Sequence, residues 1–228
     1  MPVSAGSSVI RRRIPATSAP LSLAQQQIWL NAQKTGVPPF YNESITIHRR
    51  GSIDPAVLER SLIEIVRRHE AWRTTFDVLD GEPVQIIHPA PTWFLLPIVD
   101  LRALPESERM VEAERLAAKD VQRPFDLRRG PLFRAALVRL GEDDYRLYMA
   151  VHQIIIDGVT AYHVLLPELV SLYSAFSEGK PSPLPELPIQ CADFACWQRD
   201  WLRREVLATQ LAYWRRQLAG TLLNGDLW

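Results

Sequence analysis

The sequence predicts an α/β fold in which helices pack against a largely antiparallel, mixed sheet. Apolar residues recur at helical spacing in several segments, most clearly in AVLERSLIEIVRRHE. Segments that alternate apolar and polar residues lie between them, as in ESITIHR. Two β-rich runs also flank Asp80-Gly81, a dipeptide typical of tight hairpins. Helices and strands mixed on this spacing favour a two-layer sandwich.

The first elements are bounded by recognisable start and stop residues. Ser22 is a good N-cap for a first helix that runs through LAQQQIWLNAQKT to Gly36. A strand is predicted over residues 43–49. Asp54-Pro55 supplies an N-cap and a proline at the first position of the second helix. Along the sequence, the first long strand therefore lies between two predicted helices.

The same kinds of signal predict the helices and strands of the remaining chain. The hairpin TTFDVLDGEPVQIIH comes first, and a helix with an acidic start opens at Pro105-Glu106. The other predicted elements are a strand over 93–99, strands in LFRAALVRL and YRLYMAVHQ, a helix over 159–177, and one long helix over 191–218. Arginine pairs such as Arg67-Arg68 are interpreted as solvated helix faces.

Composition limits the possible partners. The 228 residues carry 26 lysines and arginines against 26 aspartates and glutamates, so nothing favours nucleic acid or an anionic membrane. No apolar run is long enough for a signal peptide or a membrane span. The two cysteines, Cys191 and Cys196, are five apart on a predicted helix, which favours reduced thiols and a cytoplasmic location. Residues 1–20 are predicted to form a flexible tail.

The segment HQIIIDG, residues 152–158, is the strongest candidate for chemistry. An apolar strand runs directly into polar side chains and a glycine. Successive strand residues point to opposite faces, so His152 and Gln153 cannot share one role. From the residues alone, the pattern favours a buried histidine followed by an ordinary strand-to-helix turn.

Four segments in order resemble the motifs of one family. They are SLAQQQIWL (22–30), RRHEAWRTTF (67–76), HQIIIDG (152–158), and ADFACWQRDWL (192–202) with LAYWRRQLAG (211–220). Together they are similar to the N-terminal lobe of a nonribosomal peptide synthetase condensation domain. The resemblance implies one lobe of a chloramphenicol acetyltransferase-like fold over residues 21–220. The second lobe would begin at residues 221–228.

The resemblance also implies a reaction and its partners. Donor and acceptor peptidyl carrier proteins would deliver aminoacyl or peptidyl thioesters on phosphopantetheine arms, and the domain itself would bind no cofactor or metal. Amide formation would take place between the two lobes. Because the second lobe lies outside this sequence, the isolated lobe is expected to expose an apolar face and to self-associate.

Site residues follow from the family motif. Gln153 stands where the family has its catalytic histidine, and His152 matches the preceding, largely structural histidine. Asp157 matches an architectural aspartate, and Gly158 a glycine that lets substrate approach the backbone. The other motifs imply structural support from Arg73, from Ser22 as a helix cap, and from Gln25.

Gln153 makes activity the open question. An amide forms hydrogen bonds but takes up no proton near neutral pH, and loss of a general base typically costs about 10²–10⁴-fold in rate. An introduced substitution, a natural degenerate module and a repurposed domain would each explain it. The alternative functions are a non-catalytic recruitment domain, as in glycopeptide synthetases, and a coenzyme A-dependent acyltransferase of the same superfamily.

Overall fold

The computed structural model describes residues 9–14, 16–34, 40–202 and 205–219. Its strands are β1 (Ser18–Pro20), β2 (Asn42–Arg50), β3 (Thr74–Leu79), β4 (Glu82–Ile87), β5 (Ile98–Asp100), β6 (Phe133–Arg139) and β7 (Asp144–His152). Its helices are α1 (Leu23–Ala32), α2 (Pro55–Arg68), α3 (Glu106–Val121), α4 (Gly158–Thr160), α5 (Leu166–Ser177), α6 (Cys191–Trp201) and α7 (Glu205–Gln217). A 3₁₀ turn covers Glu70–Arg73, and a π-helical segment, Ala161–Leu165, joins α4 to α5.

The strands form two sheets. The larger has the order β2-β7-β6-β5, with β5 parallel to β6 and the other neighbours antiparallel. The smaller has the order β1-β4-β3 and is antiparallel throughout. The predicted α/β fold with a largely antiparallel mixed sheet is therefore confirmed, and the division into two sheets is an addition that periodicity does not provide.

Strand β7 shows how the layers are assembled. Its odd-numbered residues belong to the main core, which also contains the buried faces of α2 and α5. Tyr148 points to the other face and joins a second cluster with Ala113 of α3. This two-residue alternation places helices on both faces of the larger sheet.

Local start signals act as predicted. The Ser22 hydroxyl accepts a hydrogen bond from the Gln25 N–H, and Asp54 caps α2 ahead of Pro55. At the hairpin turn Asp80 and Gly81 have φ values of 52° and 82°, the left-handed pair that a type I′ turn requires. The helix predicted at Pro105-Glu106 begins at Glu106.

The prediction of a flexible tail is wrong for part of residues 1–20. Ser18–Pro20 pairs with β4, with Ser18 opposite Ile86. Upstream, the Arg13 guanidinium forms ion pairs with Glu70 at 2.6 Å and with Asp193 at 2.8 Å. These pairings order the segment because they satisfy backbone groups of a sheet edge and a buried carboxylate. Residues 1–8 and 15 lie outside the described residues.

Three other predicted boundaries differ. The strand expected over 93–99 is limited to Ile98–Asp100, after Pro97, whose ring nitrogen has no hydrogen to donate to a ladder. The first helix ends at Ala32, and Gly36 lies outside the described residues. The single helix expected over 191–218 is two helices, since the backbone at Leu202 leaves the helical region with ψ near 7°.

Among the described residues, no helix is both long and apolar enough to cross a membrane.

Candidate functional site

The site predicted at HQIIIDG lies where β7 ends beside its two neighbours. The His152 N–H donates to the Leu132 carbonyl at 2.9 Å, and the Gln153 N–H donates to the Tyr41 carbonyl at 2.7 Å. Consecutive backbone groups thus bond to opposite neighbours, and the two side chains leave the chain in different directions.

His152 is held as a neutral ring. Its side chain is on the face of β7 that carries Tyr148, and the residue is only 6% exposed. Nδ1 accepts a hydrogen bond from the Ile154 N–H at 3.2 Å, so the proton of the neutral ring is on Nε2. Burial lowers the pKa of His152 to about 4. The Tyr41 and Phe125 rings have centroids 6.1 Å from the His152 ring.

Gln153 has a different environment. The residue is half-buried, and its side-chain amide has no hydrogen-bond partner within the described ranges. Ile154, Ile155 and Ile156, which follow it, are all buried in the main core. The core therefore fixes the backbone directly after Gln153.

Asp157 and Gly158 form the exposed end of the segment. The Asp157 carboxylate accepts a hydrogen bond from the Thr160 N–H at 2.7 Å and caps α4. Hydrogen bonds from Thr160 hold the pKa of Asp157 below its ordinary value. A Cβ added at Gly158 would meet no atom within 4 Å, so the space beside this backbone is open.

Gln25 connects the first helix to the site. It is 5% exposed, and its Nε2 donates to the Ile154 carbonyl at 3.3 Å and to Oε1 of Gln85 at 3.4 Å. Its Oε1 accepts the Ser22 N–H at 2.9 Å, which completes a capping box. The opening segment therefore supports the strand end directly.

Arg73 is not brought to residues 152–158. Its Nη1 donates to the His88 carbonyl, and its Nη2 lies 3.8 Å from Oε1 of Glu70. Burial lowers the pKa of Arg73. Its contacts hold the end of the β3–β4 hairpin.

The interpretation of Arg68 as solvated is wrong, because this residue is only 3% exposed. Its guanidinium donates to the Glu168 carboxylate at 3.2 and 3.3 Å and to the Pro185 carbonyl at 2.8 Å. His69 contacts the same carboxylate at 2.8 Å. Arg68 follows Ile65 by three residues, so the apolar stripe of α2 carries a signal for its burial.

Comparison with known proteins identifies the family. Residues 16–227 match the model of the condensation domain family. The chain is 46% identical over 201 residues to a linear gramicidin synthase of Brevibacillus parabrevis, a match that covers 88% of this chain and 3% of that protein. It is 41% identical over 201 residues to phosphinothricin tripeptide synthetase PhsC of Streptomyces viridochromogenes, covering 88% of this chain and 18% of that protein. The chain belongs to the condensation domain family.

Solved structures agree on the fold. The starter condensation domain of rhizomide synthetase RzmA superposes with a TM-score of 0.80 at 28% identity, covering 90% of this chain and 49% of that chain. The X-domain from teicoplanin biosynthesis gives a TM-score of 0.79 at 29% identity, covering 93% and 46%. The chain thus spans about half the length of these solved relatives and has the fold of a single lobe.

Proposed function

We propose that this chain is the donor-side lobe of an amide-forming condensation domain whose proton transfer is impaired by Gln153. The observation that carries the proposal is the placement of Gln153 at the end of β7, with a half-buried side chain and no hydrogen-bond partner among the described residues. The match of residues 16–227 to the family supports the reaction class.

The proposed reaction joins two carrier-bound substrates. The nitrogen of an acceptor amine attacks the carbonyl carbon of a donor thioester, the C–N bond forms, and the C–S bond breaks. The amine loses a proton and the departing thiolate gains one. The phosphopantetheine arms of donor and acceptor carrier proteins would present both groups, and a second lobe would complete the channel.

Gln153 allows only part of this chemistry. Its amide oxygen can accept a hydrogen bond from the amine and orient it, but the amide takes up no proton near neutral pH. Orientation of two tethered reactants still lowers the barrier. We therefore expect slow amide formation, about 10²–10⁴-fold below a protein with histidine at this position.

His152 does not replace the missing base. Its Nδ1 is occupied by the Ile154 N–H, its ring is buried, and its pKa near 4 leaves it a weak base. Its side chain also leaves β7 in another direction from that of Gln153.

The test uses a protein in which this lobe is joined to a second one. It would be prepared with Gln153 and with Gln153→His, and supplied with loaded donor and acceptor carriers. We expect the amide product, measured by mass spectrometry, to form about 10²–10⁴-fold faster with Q153H. Gln122→His, at an exposed position after α3, is the matched control and should leave the rate unchanged. Failure of Q153H to form any amide would contradict the catalytic assignment.

A non-catalytic recruitment domain is the second candidate, and the same residue favours it because a recruitment surface needs no proton acceptor. Capture of a tailoring enzyme by the Gln153 protein, together with no amide from Q153H, would support it.

A coenzyme A-dependent acyltransferase is the third candidate function, since that chemistry would need a histidine at residue 153. The free thiols of Cys191 and Cys196 fit the proposed cytoplasmic location.

A further inference from the structure

A cavity of about 680 Å³ lies beside the first residues of β6, and none of residues 152–158 lines it. The connection between β4 and β5 forms one wall, and Gly130-Pro131 with the start of β6 forms another. This volume is within the range of small-molecule sites in proteins. We infer that the cavity binds a small amphipathic anion, a molecule with a flat apolar body and a carboxylate or sulfonate head.

The walls suit a flat apolar body. Trp93 and Leu95 are 72% and 71% exposed, although both line the cavity. Phe94 between them stacks on Phe133, with centroids 5.1 Å apart and ring planes at 11°. Trp72 meets the same Phe133 ring edge-on at 4.9 Å. The stacked Phe94 and Phe133 rings hold each other in place in the cavity wall, and the exposed Trp93 ring offers a flat surface on which a planar ligand can stack.

The lining has an excess of positive charge. Three arginines, Arg73, Arg123 and Arg134, line the cavity with a single carboxylate, Asp120. That carboxylate is shared, since it lies 3.0 Å from both the Arg123 and the Arg134 guanidinium groups. One carboxylate cannot neutralise three guanidinium groups, so an anionic head is the complementary ligand group.

Arg73 adds to this excess because its own ion pair is incomplete. Its partner Glu70 is 3.8 Å away and is already bound by Arg13 at 2.6 Å. Its Nε is buried and has no hydrogen-bond partner within the described ranges. An anion bound in the cavity would lower the cost of holding this partly buried cation.

Arg123 is the accessible contact for the head group. Its side chain is 64% exposed, and its Nη1 donates to the Asp120 carboxylate. Arg134 is more constrained, since its guanidinium also lies over the Phe125 ring at 3.9 Å. A ligand whose body covers Trp93 and whose head reaches Arg123 would use both features of the cavity.

Two fluorescent probes test the inference on the chain as it stands. The anionic probe is 8-anilino-1-naphthalenesulfonate, and the neutral one is N-phenyl-1-naphthylamine, which lacks the sulfonate. Titration should show tighter binding of the anionic probe, on the order of tenfold, as expected for one charged hydrogen bond. Arg123→Gln should remove that preference, and Trp93→Ala should weaken both probes by a similar factor.

Matched control variants distinguish probe binding in this cavity from nonspecific binding elsewhere on the protein surface. Arg115→Gln removes an exposed arginine of α3 that, like Arg123, pairs with a carboxylate three residues earlier, and it should keep the preference for the anion. Trp214→Ala removes an exposed tryptophan of α7 that does not line the cavity. Equal effects of R123Q and R115Q, or of W93A and W214A, would overturn the inference. The assay uses no carrier protein, so its outcome is independent of the proposed amide-forming function.

Discussion

The side-chain amide of Gln25 donates a hydrogen bond of 3.3 Å to the carbonyl of Ile154, so the first helix holds the backbone directly after Gln153. The same amide also contacts Gln85 of β4, whose own amide donates to the Pro20 carbonyl at 2.7 Å. A buried pair of glutamines therefore links the small sheet, α1 and the end of β7. The motif at residues 22–30 therefore has a physical role, because it positions the backbone of the candidate site at the end of β7.

Replacing Gln25 should destabilise the protein. Gln25→Leu would leave the Ile154 carbonyl and the Ser22 N–H without their partner, and each unsatisfied buried group costs about 1–3 kcal/mol. We expect the free energy of unfolding, measured by urea denaturation, to fall by about 2 kcal/mol. Gln27→Leu, at an exposed position of the same helix, is the control and should change it by less than about 0.5 kcal/mol. Equal losses in the two variants would show that the hydrogen bonds of Gln25 contribute nothing.

Local features of the fold can be predicted from sequence, and contacts between distant segments cannot. Asp54-Pro55 and the apolar stripe define α2, and Asp80-Gly81 defines the hairpin, because each signal lies within a few residues of the structure it specifies. Strand order and the contacts of Arg13 depend on segments up to 180 residues apart. Periodicity carries no information on such pairings, which explains why the prediction of a tail is wrong for residues 18–20.

The same distinction applies to the candidate site. The family motif predicts Gln153 and His152 as site residues, and strand alternation predicts that their side chains point in different directions. The link from Gln25 to Ile154 joins residues 129 positions apart, and no local pattern indicates its geometry. Arg73 belongs to a neighbouring motif, yet its contacts are with the hairpin and not with residues 152–158.

Arg13 is expected to stabilise the packing of α6. The Asp193 side chain is completely buried and lies 2.8 Å from the Arg13 guanidinium. Arg13→Gln would leave a buried carboxylate without its ion-pair partner, and we expect a loss of about 3 kcal/mol in the free energy of unfolding. Arg11→Gln, at an exposed position nearby, should have little effect. A loss below about 1 kcal/mol for R13Q would mean that backbone N–H groups alone suffice for Asp193.

Helix α7 should mediate self-association of the isolated chain. Leu207, Leu211 and Trp214 of α7 are each 44–54% exposed and recur at spacings of four and three residues, which places them on one helix face. Leu218, which directly follows α7, is 55% exposed. Water-exposed apolar faces of this kind favour contact with another surface. Analytical ultracentrifugation should show an apparent molecular mass that rises with protein concentration. Leu211→Glu should reduce this rise. Gln210→Glu adds the same charge at a neighbouring position and serves as the control. A clean monomer at high concentration would contradict the prediction.

His152 should make folding stability depend on pH in the acidic range. Burial lowers its pKa from 6.5 to about 4, so between these values the unfolded chain binds more protons at this residue than the folded chain does. The contribution of His152 to the free energy of unfolding is therefore greatest above pH 6.5, and it is lost as the pH falls towards 4. A shift of this size corresponds to about 3 kcal/mol.

Nuclear magnetic resonance of histidine-labelled protein would check this directly. The ring signal that disappears in His152→Gln should titrate near pH 4 and, at neutral pH, report a proton on Nε2, since Nδ1 accepts the Ile154 N–H. His163→Gln, an exposed histidine of the π-helical segment, should leave that signal unchanged. Titration near pH 6.5 would show that the ring is open to water, and the structural role of His152 would then be wrong.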